Sequence, residues 1–490
     1  MSTVAKGKGN GPDAVGESMI REKGDNVKQT ITVRTPDGKQ RDLPPDQVNR
    51  LRASLSGSLL DRNSSGYEEA RRVWNGMIDR YPALIACCTS TEDVQRVVTF
   101  AHEHQAILAV RGGGHSFPGY STCDDGIVLD LSPMRQVYVD AVMRTARAES
   151  GLRWGDLDAA TQQHGLVLTG GQISHTGIAG LTLGGGIGWL ARAFGLTIDH
   201  LQGADVVTAD GQLRRAALDA DADLFWAIRG GGGNFGVVTA FDYALNPLEP
   251  QVTVLQIAFP IHEAANVFQA GEALLAAAPD SVSATFAFVR TPEGMPLAAL
   301  TVVAIDPPDD AVQRLEPFRH IGPAVFEEIV TTPYTALQRM LDEVAAVGLR
   351  YYGRSNFLMN RTPEVVGPLA AHYEEAPSPG SLVLFVRLGG AVAHVAPEET
   401  AFAHRSFPWS LTALAIWRDP GTDEANRNWI ERTWSSLPAL PQAVYVNELE
   451  EEGSARVRAA YGMNYARLTA LKKRYDSDNL FRRNQDIPPA

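Results

Sequence analysis

The chain has 490 residues, 44% hydrophobic and 21% charged, with a formal charge of −13, so it exceeds one ordinary core and predicts two or more lobes. The acidic balance argues against a nucleic-acid or anionic-membrane partner, since both need a basic face, and favours a small neutral or cationic ligand. Cys87, Cys88 and Cys123 are too few for a disulfide framework and lack the CxxC spacing of a zinc site, so no metal is expected.

The N-terminal stretch is polar and Gly-rich, without an apolar signal core or twin-arginine motif, and no run elsewhere is long enough to span a membrane without charge. These features predict a flexible leader over residues 1–30 and a cytoplasmic protein. "TSTEDVQRVVTFAHEHQAILAV" predicts a helix capped by Ser90 or Thr91, with Val94, Val97, Val98 and Ala101 on one face, then a strand over 107–110. The strand runs into "RGGGHS" at 111–116. Three glycines let main-chain N–H groups press on a phosphate, and the Arg111 guanidinium matches phosphate oxygens. His115 adds a nucleophilic nitrogen that phosphate binding does not need.

"GIVLDLSPM" predicts a second strand and "GLRWGDLDAATQQHG" a helix, followed by a glycine-rich tract over 168–201. A hairpin is expected around Asp210-Gly211, and "DADLFWAIRGGGGNFGVVTAFDYAL" reads as helix, glycine turn and strand. Prolines 247 and 250 mark a boundary. From 251 to 440, strands alternate with Ala-rich helices, predicting an α+β lobe. The chain closes with a helix carrying Tyr461, Tyr465, Leu468 and Leu471.

Glycines cluster at 112–114, 170–171, 184–186 and 230–233, which suggests one long ligand laid across several loops. Tight turns in a β-rich lobe are the plain alternative. "GIGWLA" at 186–191 also fits a GxGxxA dinucleotide turn, with Asp205 as the ribose acid, whereas "GGGNFG" at 231–236 has its helix and strand in the wrong order. His102 and His104 fall two apart on a helix and so read as a solvated helix end, not a metal pair.

"RGGGHS" at 111–116, "GGQISHTGIAGLTLGGGIGWLARAFGLTID" at 170–199, "WAIRGGGGNFGVVT" at 226–239, "TAFAHR" at 400–405, "YVN" at 445–447 and "YGMNYARLTALKKRYDSDNLFRRNQDIP" at 461–488 resemble, in order, the berberine-bridge-enzyme-like flavoproteins of the vanillyl-alcohol-oxidase type. The resemblance implies an α+β fold. Residues 31–250 would form a two-lobed PCMH-type FAD-binding domain, completed by the returning segment 441–490. A substrate-binding domain, 251–440, would be inserted as an antiparallel sheet backed by helices over the flavin.

It also implies FAD attached through its 8α carbon to His115. Many relatives add a cysteine tether at the position held here by Ile173, so no cysteinyl link is expected. Gly112, Gly113, Gly114, His115 and Ser116 would face the pyrophosphate and flavin. Gly171, Thr176, Gly177, Gly180, Gly184, Gly185, Gly186 and Gly188 would shape the central loop, Thr176 lying near the oxygen gate. Gly236 and Val238 match adenine-side contacts, and Tyr461, Asn464 and Asn484 the returning segment.

The implied activity is oxidation of an alcohol, a sugar hemiacetal or a natural-product C–H/O–H group by hydride transfer to flavin N5, with dioxygen reduced to hydrogen peroxide. Tyr445 is the expected base or orienter, assisted by His175 or His394. A satisfied core tyrosine and an exposed edge histidine are the bland alternatives. Tyr351 and Tyr352 are further pocket candidates, one of which must face away. A flavin dehydrogenase with another acceptor, a nicotinamide-dependent dehydrogenase and a non-catalytic flavin-binding protein remain open. Oligomeric state is not legible.

Overall fold

The helix expected after Cys88 forms over Thr91–Glu103 in the computed structural model, which describes residues 29–360 and 363–490. The leader expected over 1–30 lies outside the described residues except for its last two positions. Ser90 caps the helix by accepting from the Asp93 N–H at 3.2 Å, and Val94, Val97, Val98 and Ala101 are buried. The strand after it, Leu108–Arg111, pairs in parallel with Ile127–Asp130, which pairs in parallel with Leu84–Cys87. With Ser58–Leu60 these make a four-stranded sheet, and its inner strands read as short apolar runs because both faces are covered.

A second, five-stranded sheet takes the order Leu213–Ala217, Leu201–Val207, Val237–Ala244, Thr145–Glu149, Val137–Asp140, antiparallel throughout. Its first two strands are the hairpin at Asp210-Gly211. One continuous core joins this sheet to Val444, Tyr461, Leu468, Tyr475 and Ile487 of the C-terminal segment. That segment does not run as one helix. It breaks at Gly462, whose φ of +50° ends Ser454–Tyr461 before Tyr465–Tyr475 begins.

The third sheet has seven antiparallel strands in the order Phe326–Pro333, Gln251–Pro260, Pro296–Ala304, Val282–Arg290, Leu382–Arg387, Trp409–Trp417, Arg350–Leu358. Phe286, Phe385, Leu411 and Ala413 turn one face to the helices Ala264–Ala277, Pro363–Glu374 and Asp423–Ser435. The register fixes the other face. Thr285, Val386, Ser410 and Phe357 form one cross-strand row, and Ala287, Leu384, Thr412 and Ser355 the next. The whole is an α+β fold, and no helix among the described residues is long and apolar enough to cross a membrane.

One motif reading falls here. "GIGWLA" follows the helix Ile178–Gly184, not a strand, and Asp205 is spent on Arg147 and Arg215, so no dinucleotide turn exists at 186–191. His102 pairs with Asp478 at 3.0 Å on the helix surface.

The C-terminal segment is held by a fully buried ion pair. Lys472 Nζ donates to Asp476 at 2.7 Å and to the Asn234 carbonyl at 2.9 Å, while Asp476 accepts from the N–H groups of Leu480 and Phe481. Replacing Lys472 by Met leaves that carboxylate buried without its cation, and urea unfolding is expected to show a loss of about 3–5 kcal/mol.

Candidate active site

Arg111 ends its strand with its guanidinium held by protein groups. Nε and Nη2 donate to Asp130 at 3.0 and 2.6 Å, and Nη1 donates to the carbonyls of Ala70 and Arg72. The expectation that Arg111 grips a phosphate is therefore corrected: a buried Asp130 has already neutralised the fork. Its work is to hold the glycine loop against the segment before Trp74.

The loop then meets a second backbone. A Cβ built on Gly113 would lie 2.3 Å from the Gly177 nitrogen, and one on Gly177 would lie 2.3 Å from the Gly113 nitrogen, so neither position admits a side chain. This contact sets His115 beside His175, with Nε2 of the first 2.7 Å from Nδ1 of the second. The His115 ring stacks on Trp74 at 4.7 Å and 17°, and Trp74 stacks on Tyr351 at 3.8 Å. Burial, reinforced by His175, holds the His115 imidazole well below the usual histidine range. Burial lowers His175 too, against a raising influence from Asp342. His175 is thus engaged with His115, and Asp342 fixes its loop by accepting from the Ser174 N–H at 2.9 Å and hydroxyl at 2.6 Å.

From Gly177 the helix Ile178–Gly184, about 10 Å long, leads to the other end of the site. There the Asn447 amide lies over Gly184, and the Tyr445 hydroxyl accepts from the Gly186 N–H and from Asn447 Nδ2, both at 2.9 Å. Phe402 packs on Gly185 and on the main chain of Gly230, which draws the fourth glycine cluster to the same place. Burial pushes the Tyr445 phenol above its ordinary value.

Glu448, three residues further on, was not singled out by sequence. It accepts from Thr412 Oγ1 at 2.9 Å and Ser410 Oγ at 3.5 Å, the hydroxyls of the sheet face described above. Burial raises its carboxyl to about 7, although the side chain keeps partial access. The acidic run "ELEEE" ordinarily marks a solvated turn, so only its position just after "YVN" could have signalled this.

The remaining expected residues separate by burial. Gly112 and Gly114 flank the Gly113 contact, Ser116 Oγ accepts from the Tyr120 N–H, and the Thr176 carbonyl accepts from Trp154. Gly171 sits under Leu181 and Gly188 on the Gly170 carbonyl. Gly236 packs on Val206 and Val207, and Val238 is buried in the same sheet with its carbonyl bound by Ser150. Tyr461 is buried, its hydroxyl 3.4 Å from the Gly231 and Gln485 carbonyls. Asn464 bonds the carbonyls of Pro397 and Thr400, and Asn484 lies beside Gly233.

His394 is a correction. It occupies an exposed turn at the end of the short helix Ala391–His394, whose Val392 is the buried residue, and the structure does not bring it to Tyr445. Of the tyrosine pair, Tyr351 faces the His115 stack, while Tyr352 bonds Glu431 on the opposite side of the sheet.

Comparison with known proteins places the chain among flavin-linked relatives. Residues 82–217 match the model of an FAD binding domain, and residues 444–488 that described as berberine and berberine like. The FAD-linked oxidoreductase YgaK of Bacillus subtilis (strain 168) is 31% identical, covering 89% of this chain and 98% of its own. (R)-6-hydroxynicotine oxidase of Paenarthrobacter nicotinovorans is 30% identical over 89% of this chain and 97% of its own. Among solved structures, 6-hydroxy-D-nicotine oxidase from Arthrobacter nicotinovorans superposes with a TM-score of 0.82 at 26% identity, covering 89% of this chain and 99% of that one.

The residues present fit FAD. His175 Nε2 is buried without a partner, and Gly180 is an exposed helical position where a Cβ would meet nothing within 4 Å. Gly180 thus leaves room at the middle of the helix that links the two ends of the site. Changing it to Ala is expected to leave the thermal midpoint of flavin-free protein unchanged or slightly higher, by about 1 kcal/mol of helix propensity. FAD titration should nevertheless show weaker binding.

Proposed function

The chain belongs to the berberine-bridge-like FAD-linked oxidoreductases, and on that premise we propose that it is an oxidase carrying its flavin covalently on His115. Bound FAD supplies the hydride acceptor at N5, with dioxygen as the final oxidant and hydrogen peroxide as product. The substrate is a small molecule offering an alcohol, a sugar hemiacetal or a comparable C–H/O–H group. The observation that supports this reading best is the pairing of two unlike ends on one short helix: a half-buried histidine pair beside Gly177, and a phenol–amide–carboxyl turn beside Gly184 and Gly186.

The protein contributes position and a proton acceptor. Ser410 and Thr412 donate their hydroxyls from the sheet face to Glu448 and so hold that carboxyl in place. An alcohol releases hydride from its carbon only as its O–H proton leaves. Tyr445 is poorly placed to take that proton, since burial opposes the phenolate and two donors already occupy its oxygen. It serves better as a donor that orients the substrate. Glu448, raised to about 7, is matched to neutral pH as the acceptor.

Acid precipitation tests the tether: the wild-type pellet is expected to stay yellow and the His115→Ala pellet to be colourless. Anaerobic flavin bleaching across a panel of sugars, alcohols and amines tests the chemistry. With any substrate that bleaches, the rate should rise through about pH 7 as Glu448 ionises and then level. Glu448→Gln should lower it by about 100-fold and remove the rise, whereas Glu450→Gln should keep both. A Glu448→Gln enzyme with the wild-type rate would remove Glu448 from the reaction.

A further inference from the structure

We infer that His175 prepares His115 for its bond to the flavin, by accepting the proton of His115 Nε2 and so leaving Nδ1 as the nucleophile. The inference rests on the His115 tether proposed above. The ring of His115 has little freedom: Trp74 stacks on its face, and Nε2 is 2.7 Å from His175 Nδ1. Nδ1 has no hydrogen-bond partner among the described residues. In a neutral imidazole one nitrogen carries the proton and the other the lone pair. Donation from Nε2–H to His175 therefore puts the lone pair on Nδ1.

Bond formation at Nδ1 would make His115 a half-buried cation unless the Nε2 proton left. His175 Nδ1 is already at hydrogen-bond distance to receive it. Asp342, which grips the adjacent Ser174 through both carboxylate oxygens, favours a proton on His175, and Arg153 opposes one. His175 Nε2, buried and unpartnered, is the atom through which the proton can move on.

In the balanced step the Nδ1–C8α bond forms, one C–H bond of the 8-methyl group breaks and the His115 N–H breaks. Two electrons and two protons pass to dioxygen as hydrogen peroxide. The hydrogen bond between the histidines survives with its direction reversed.

The test follows covalent flavin, not turnover. Full-length wild type, His115→Ala, His175→Ala and His175→Asn are purified with their flavin, incubated in air and acid-precipitated at intervals. Wild type should carry all its flavin in the pellet. His175→Ala and His175→Asn should co-elute with FAD on gel filtration at an unchanged thermal midpoint, yet retain less than about a tenth of it in the pellet.

Added imidazole should restore attachment in His175→Ala, where space is vacated, and not in His175→Asn. A purely structural role would not respond to imidazole. A His175→Ala pellet as yellow as wild type, or His175 variants that lose FAD together with stability, overturns the assignment. If wild-type flavin itself stays in the supernatant, or the His115→Ala pellet is yellow, the tether reading fails first and takes this inference with it.

Discussion

Two glycines in backbone contact are the constraint on which the site depends. Gly113 and Gly177 approach so closely that a methyl group on either would overlap the main chain of the other. The contact joins the loop ending in His115 to the start of the helix Ile178–Gly184, and so decides that His115 meets His175 and that the far end of the helix meets Asn447 and Tyr445. A helix is stiff at this length, which turns one contact into a fixed separation between the two chemical ends. Phe402 then fastens the far end to the fourth glycine cluster at Gly230.

The interior divides its polar groups by charge. Three contacts that hold the scaffold are ion pairs: Arg111 with Asp130, Arg405 with Asp199 at 2.8 Å to each oxygen, and Lys472 with Asp476. The groups that line the site have no ionic partner. Burial lowers His115 and His175 and raises Tyr445 and Glu448, so all four are pushed toward their neutral forms. A neutral set leaves the site free to gain or lose single protons, which a salt-bridged set would resist.

The sequence made the scaffold legible wherever local chemistry decides structure. Ser90 as a cap, the apolar stripe behind it, the Asp210-Gly211 hairpin and the α+β alternation after Pro250 all depend on neighbours a few positions away. What escaped depends on partners far along the chain. Nothing near Arg111 says that Asp130 will take its guanidinium, and nothing near His394 says that Val392 will turn inward instead. Gly462 looked like one more residue of a helix until its left-handed φ ended it. Glu448 was hidden by its own neighbours, because an acidic run looks solvated until Thr412 and Ser410 are folded over it.

The loop that carries His175 also ties the two lobes together. Gln172 Nε2 donates to Thr285 on the seven-stranded sheet at 3.4 Å, and Ser174 donates to Asp342 beyond that sheet's edge. Thr285 shares its cross-strand row with Ser410, which Glu448 touches. The seven-stranded sheet thus bears on both ends of the site through one face. That face touches both the loop of the histidine pair and the carboxyl, so the two ends of the site share one supporting surface.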